Sequence, residues 1–200
     1  LDYSTFNAQP TSTVEVLEDG NLFAAGVGTS LNFCEATTRI VKGDLISALR
    51  NSILSKQSKF EISDAGNVLL TDITRTVLED QTTMDIFGGG NLQLLRSAYL
   101  LLGKNSEASV GNGGSALFGE DVVFDLLDHS SLRVDGGDIS FYGDASLKAH
   151  LNSIGEVTSG GSILFSDNTQ ATLSDASRLT VFDSGSISFS DETSAQLSDN

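Results

Sequence analysis

The chain has no tryptophan and only one cysteine, one proline and one methionine in 200 residues. Each shortage excludes something. Cys34 stands alone, so no intrachain disulfide forms and a disulfide-stapled scaffold is ruled out. Lys and Arg total 11 against 27 Asp and Glu, a formal charge of −16. Such a surface repels phosphate backbones and anionic headgroups, so neither nucleic acid nor a membrane surface is an expected partner. No apolar run reaches about 18 residues, the length a spanning helix needs, so no direct membrane insertion is expected of this segment. There is neither an initiator Met nor a basic-then-apolar leader, and Leu1 is expected to be a processed or cut end. Proline cannot donate to a β-ladder, and after Pro10 there is none.

What the chain does have is glycine, 20 of them, many inside one recurring phrase. GGSILF at 160–165 echoes GGDISF at 136–141, GGSALF at 113–118, GGNLQL at 89–94 and AGNVLL at 65–70, with looser copies at 19–24, 42–47 and 184–189. The second glycine falls at Gly20, Gly43, Gly66, Gly90, Gly114, Gly137, Gly161 and Gly185, in steps of 23 or 24. Within each period, apolar pairs separated by one residue recur every eight: Ile163/Phe165, Ala171/Leu173, Leu179/Val181, Ile187/Phe189 and Ala195/Leu197. A short apolar-x-apolar run is a strand with one buried face, and the Asp, Ser, Gly and Asn between runs form turns.

Residue identity repeats at the longer step. Phe118, Phe141, Phe165 and Phe189 occupy one place in the period, each two residues after Ala116, Ile139, Ile163 and Ile187; Leu132/Val134, Gly155/Val157 and Leu179/Val181 hold another. If one period is one coil, like sits on like about 4.8 Å apart across a parallel ladder. The prediction is an all-β, three-sided parallel β-helix of about 24 residues per coil and roughly eight coils, with glycine turns at Gly90, Gly114, Gly137, Gly161 and Gly185. Residues 1–19 are expected to be a cap or lead-in and 20–200 one continuous solenoid, less regular over 20–65 and most regular over 113–200. In 44–56, Leu45, Leu49 and Ile53 fall four apart behind an Asp and compete for a helix, but the octad resumes at Phe60/Ile62, which favours an irregular coil.

The run beginning GGSILFSDNTQATLSDASRLTVFDSGSISFSD at Gly160 resembles the passenger domains of bacterial autotransporters and related surface adhesins. The GG-x-Ile-x-Phe phrase is also similar to the chlamydial polymorphic outer-membrane proteins, although only Phe165-Ser166-Asp167-Asn168 satisfies their F-x-x-N; the sister sites read FGED, FYGD and FSDE. The resemblance implies a right-handed β-helix at the cell surface or outside the cell, attached to a host cell, extracellular matrix or glycan. Viral fibre shafts and self-assembling filaments share the same repeat chemistry.

Residues between the buried pairs face water. They are Leu117, Ser140, Leu164 and Ser188 on one side, Asp125, Lys148, Thr172 and Gln196 on the next, and Arg133, Glu156 and Thr180 on the third, with Leu101 outward in an unusually apolar coil. The best catalytic candidate for a polysaccharide lyase or hydrolase is Asp125 beside Lys148, with Asp128, His129, Asp144 and His150 in adjoining turns and Tyr142 nearby; an Asp125–Lys148 ion pair explains the same residues. Stacked acids, Asp167 on Asp191 and Asp175 on Asp199, offer oxygen ligands to Ca²⁺, while solvated turn residues explain them equally. No phosphate loop, nucleophile elbow or CxxC pair is present. The expected function is a noncatalytic extracellular rod presenting a surface for attachment to a cell, matrix or glycan; the alternative is a filament subunit that stacks on copies of itself.

Overall fold

The structure is a computed structural model that describes residues 5–8, 11, 13–17, 21–25, 30–34, 36–42, 44–48, 52–79, 81–103, 105–190 and 193–198. Among these residues lie 25 strands of four or five residues and no helix. Every strand pairs in parallel with the strand three places further along, which winds the chain into three sheets of nine, eight and eight strands. Sheet A starts at Thr5–Ala8 and ends at Ser194–Ser198, sheet B starts at Thr13–Leu17 and ends at Arg178–Val181, and sheet C starts at Asn21–Ala25 and ends at Ser186–Phe189. The chain is a three-sided parallel β-solenoid.

Register makes identical positions neighbours. Ile139, Ile163 and Ile187 pair in sequence, as do Phe118, Phe141, Phe165 and Phe189. The Phe rings stack with centroids 4.8, 4.8 and 5.0 Å apart and planes within 12° of parallel. Those spacings are the ladder repeat itself, so the rings stack because the backbone does. Phe124, from sheet A, stacks on Phe118 across the interior at 5.0 Å. Opposite them, the Leu179 side chain occupies the space over Gly155, where a Cβ would stand 2.4 Å from Leu179 Cδ1.

The last described coil departs from the expected burial. Leu179 and Ile187 are half-buried, while Val181 is 43% and Phe189 46% exposed; Phe165, lying beneath Phe189, is fully buried. These four side chains stand on the core columns, but no described coil lies over them.

The stretch with helical spacing forms two strands, Asp44–Ala48 and Ser52–Lys56, with Leu45 and Ile53 buried in the core. Leu49 lies outside the described residues. Pairing with a coil on either side satisfies every strand amide, which outweighs a local periodicity of four. The segment expected as cap or lead-in contributes Thr5–Ala8, paired with Ser30–Cys34, and Thr13–Leu17, paired with Thr37–Val41.

Most described corners are built from two successive left-handed residues, such as Asp64/Ala65, Asp128/His129 and Asp167/Asn168, all with φ between 50° and 65°; before Ser58 and Gly137 a single one, Gln57 or Gly136, suffices. The residue that follows points inward and is small. At the corner from A to B it is Ser58, Thr82, Ser106, Ser130 or Ser153, and from C to A it is Thr74, Ala98, Val122, Ala145 or Thr169, all buried. Hydroxyls stitch coils together: Ser58 Oγ accepts from the Ala36 amide at 3.2 Å, and Ser106 Oγ from the Thr82 amide at 3.3 Å.

At the corner from B to C this inward residue is glycine: Gly90, Gly114, Gly137, Gly161 and Gly185 fall at the expected turns, and the amides of Gly90, Gly114, Gly161 and Gly185 donate to the carbonyl three residues earlier. The first glycine of the pair takes the left-handed conformation, as at Gly113 with φ 78°. The second does not; it is glycine because the preceding coil passes too close, a Cβ on Gly114 falling 2.4 Å from the Ile86 carbonyl oxygen.

Gly114→Ala should therefore cost about 2–4 kcal/mol, since backbone must move, against about 1 kcal/mol for Gly113→Ala, where only φ is strained. Denaturant unfolding of the two variants checks this, and equal losses would contradict the contact. Phe141→Ala should cost about 3–5 kcal/mol and Phe189→Ala less than half as much. A Phe189 variant as damaged as Phe141 would mean that something covers the last coil.

Candidate functional site

Outward positions of sheet B carry a column of charge. Alternation along each strand turns Glu15, Arg39, Glu61, Asp85, Ser109, Arg133 and Glu156 to the outside, and the register sets them one ladder step apart. Arg39 bridges Glu15 at 3.1 Å and Glu61 at 2.9 Å. Lys59, two residues before Glu61 on the same face, bonds Glu61 at 2.5 Å and lies 3.7 Å from Asp85. Asp85 also accepts from Ser109 Oγ at 2.7 Å. Arg133 turns along its own strand to Asp135 at 3.2 Å, and Thr158 donates to the same carboxylate at 3.3 Å.

The protonation states follow. Burial pushes the Glu61 carboxyl up, but the Lys59 hydrogen bond and the charges of Lys59 and Arg39 outweigh it and hold the group below its ordinary value. Lys59 is held above its ordinary value, chiefly by its hydrogen bond to Glu61. Asp135 is held low by hydrogen bonds from Ser159 and Thr158 and by Arg133. Cations fixed between anions turn like-charge neighbours into a strut.

Ser109 is the short side chain in this column, and over it lies an open groove of about 450 Å³ lined by Lys59, Asp85, Phe87, Glu107, Arg133 and Asp135. Reading the outward residues of the last three strands alone, Arg133, Glu156 and Thr180, missed it. The signal lay further back, where Glu15, Arg39, Glu61 and Asp85 recur at the coil period.

The candidates weighed for polysaccharide chemistry do not converge among the described residues. Asp125 and Lys148 are register partners on sheet A, but no ion pair joins them, contrary to the expected pairing. Asp125 instead accepts from Tyr99 OH at 2.7 Å, and its Oδ1 is buried without a hydrogen-bond partner. Burial, and then this bond, push the Tyr99 phenol above its ordinary value. Arg75 lies over the Tyr99 ring at 5.6 Å. Leu101 faces outward on the same strand, two residues after Tyr99 and in register with Asp125, but is only 7% exposed, so the chain covers that leucine itself.

Asp144 sits at the corner before strand Ser146–Ala149, and His150 follows its far end. Asp128 and His129 form the corner of the preceding coil. His150 Nδ1 contacts Ser174 Oγ, and Ser174 Oγ lies 3.2 Å from Asp175 Oδ2. The carboxylate approaches the same imidazole nitrogen at 3.9 Å, so both of these partners meet the ring from one side. This is a corner clasp, not a charge-relay arrangement.

Of the calcium candidates, Asp167 and Asp175 lie at different corners, while Asp191 and Asp199 fall outside the described residues. Among the described residues no group of three or more His, Cys, Asp or Glu side chains converges as metal ligands. Ca²⁺ takes six or more oxygens, and the described carboxylates do not fit that demand.

No protein-family model, curated protein or solved structure matches the chain. The resemblance to autotransporter passenger domains and chlamydial outer-membrane proteins rests on the repeat motifs.

Glu61, with its pKa below 4.5 in the fold, stabilises fully above that value, and the contribution is lost as pH falls through the lower folded value. Lys59, raised above 10.5, contributes below that value and loses its contribution as pH rises through the folded value. Glu61→Gln should thus cost up to about 1 kcal/mol at neutral pH, with the gap to the parent closing in strong acid. Thermal unfolding across acid and neutral buffers measures it; a gap independent of pH would sink the strut.

Proposed function

We propose that the protein is a noncatalytic rod, working outside the cell or at its surface, whose outer walls present side chains for attachment to a cell, matrix or glycan. The observation that carries this is the unbroken parallel register of three sheets with stacked Phe and Ile columns, which resists bending because every coil is bonded to the next along all three sides. The repeat resemblance to bacterial surface β-helices supports the location. A polysaccharide hydrolase is disfavoured by chemistry: Glu61 and Asp85 are adjacent carboxylates, but Glu61 is held low by Lys59 and Arg39, the opposite of the raised acid that must protonate a leaving group.

One observation favours a second reading, in which chains stack coil on coil into filaments. Val181 and Phe189 are 43% and 46% exposed on the last described coil, and a further coil, from this chain or a copy, would continue their core columns.

Negative-stain electron microscopy over a range of concentrations, with and without millimolar Ca²⁺, separates the readings. Nine strands in sheet A make eight ladder steps, so a single chain should appear as a short rod with this stack roughly 38 Å long. Isolated short rods at every concentration support the rod; fibres that lengthen with concentration replace it with the filament. Irregular compact particles would defeat both.

A further inference from the structure

We propose that the groove over Ser109 on the outer face of sheet B is a binding site for an uncharged saccharide, taken through its hydroxyl groups and one sugar face. This deepens the rod reading by naming what one wall would hold.

The groove exists because the charged column is interrupted. Asp85 and Arg133 flank Ser109 in register, and both carry longer side chains, so the serine forms a floor between raised walls. Its hydroxyl is already given to Asp85. The space above this strand has a volume of about 450 Å³, in the range of small-ligand sites, and it is lined by charges of both signs.

The lining offers donors and acceptors together. Arg133 spends one nitrogen on Asp135, leaving other guanidinium N–H groups for a ligand. The Lys59 ammonium is shared between Glu61 and Asp85 and stands at the rim. Glu107 makes no side-chain hydrogen bond or ion pair to another described residue, so its two oxygens are available acceptors. Phe87, 36% exposed, adds an apolar surface at the edge.

This mixture selects by chemical class. A polyanion placed here must face Asp85, Glu107 and Asp135 on a chain of charge −16, and a polycation must lie against Lys59 and Arg133. An uncharged saccharide meets neither penalty. Each hydroxyl both donates and accepts, vicinal pairs match the forks of a carboxylate or guanidinium, and the C–H face of the ring can cover Phe87. The walls are fixed beforehand, Asp135 by Thr158 and Arg133 and Lys59 by Glu61, which limits the ordering cost of binding. Because the groove is open and wet, affinity for one short ligand should be weak, in the millimolar range.

The test is a ¹⁵N amide map of the folded chain titrated with millimolar oligosaccharides of glucose, galactose, mannose and N-acetylglucosamine. A polyuronate and an oligolysine serve as charged comparisons. The expected result is that at least one neutral oligosaccharide moves amides at 85–87, 107–112 and 133–135 and few others. Ser109→Trp, which fills the floor from an outward position, should weaken that binding at least tenfold with unfolding temperature unchanged. Should it disturb folding, Glu107→Lys at the exposed rim should weaken binding several-fold instead. The proposal is overturned if none of the four neutral sugars moves these amides, if only a charged polymer does, or if the shifts persist in the variants. Silent amides on an intact solenoid defeat the groove alone, whereas loss of the rod would be seen by microscopy without any ligand.

Discussion

Everything in this molecule is subject to one constraint: each residue lies one ladder step, about 4.8 Å, from the residue that holds its place in the next coil. Side chains are thus chosen less for their sequence neighbours than for the residues 22 to 25 positions away. Phe on Phe works because offset parallel rings tolerate that spacing. Glycine on the B-to-C corner works because no Cβ fits between two backbones there, as at Gly90, where one would stand 2.3 Å from the Ile62 carbonyl oxygen. Charge obeys the same rule. A column of carboxylates at that spacing would repel itself, and sheet B avoids this by inserting Arg39 between Glu15 and Glu61 and by reaching Lys59 across to Glu61 and Asp85.

The same constraint changes the meaning of the net charge of −16. Most corners use one or two left-handed residues, and Asp and Asn adopt that conformation more readily than other non-glycine residues. Of the 26 non-glycine residues with positive φ among those described, eight are Asp and four are Asn. Much of the acidity is therefore a backbone requirement placed where water screens it. Regular spacing of acids, which suggests a metal column when read along the sequence, arises here because corners are regularly spaced. Ile73 and Leu151 hold left-handed conformations without the help of a polar side chain. Their presence shows that the stacked ladder can impose the corner on a residue that resists it.

Legibility follows from the same physics. The inward columns of Ile139, Ile163 and Phe165 were readable because burial demands apolar residues and stacking demands the same ones each time. The helical spacing of Leu45 and Ile53 competed locally with the strand reading because it carries no information about the coils on either side, and the octad resuming at Phe60/Ile62 outweighed it. The second glycine of each pair was assigned to turn geometry alone, since a close backbone contact 26 to 28 residues back leaves no mark except the missing side chain itself. Leu101 looked like an uncovered surface leucine; only the reach of Tyr99 to Asp125, set by register, reveals its cover. The charged strut was present in the text at the coil period but spread over 140 residues, with a serine in the middle.

That serine shows where function can be sought in such a fold. Inward positions are bound by packing and corner positions by conformation, so neither can vary to suit a ligand without unfolding the coil. Outward strand positions carry no such burden, and most of them here still follow the rule of complementary neighbours. A departure from that rule on a wall must be explained by something other than folding. At Ser109 the strut lapses, Arg133 on the next strand turns to Asp135 on its own strand, and Glu107 is left unengaged over a ring-sized gap. Continuing the strut with a long charged side chain at this position would have been the more stabilising choice for a wall that served only as a wall.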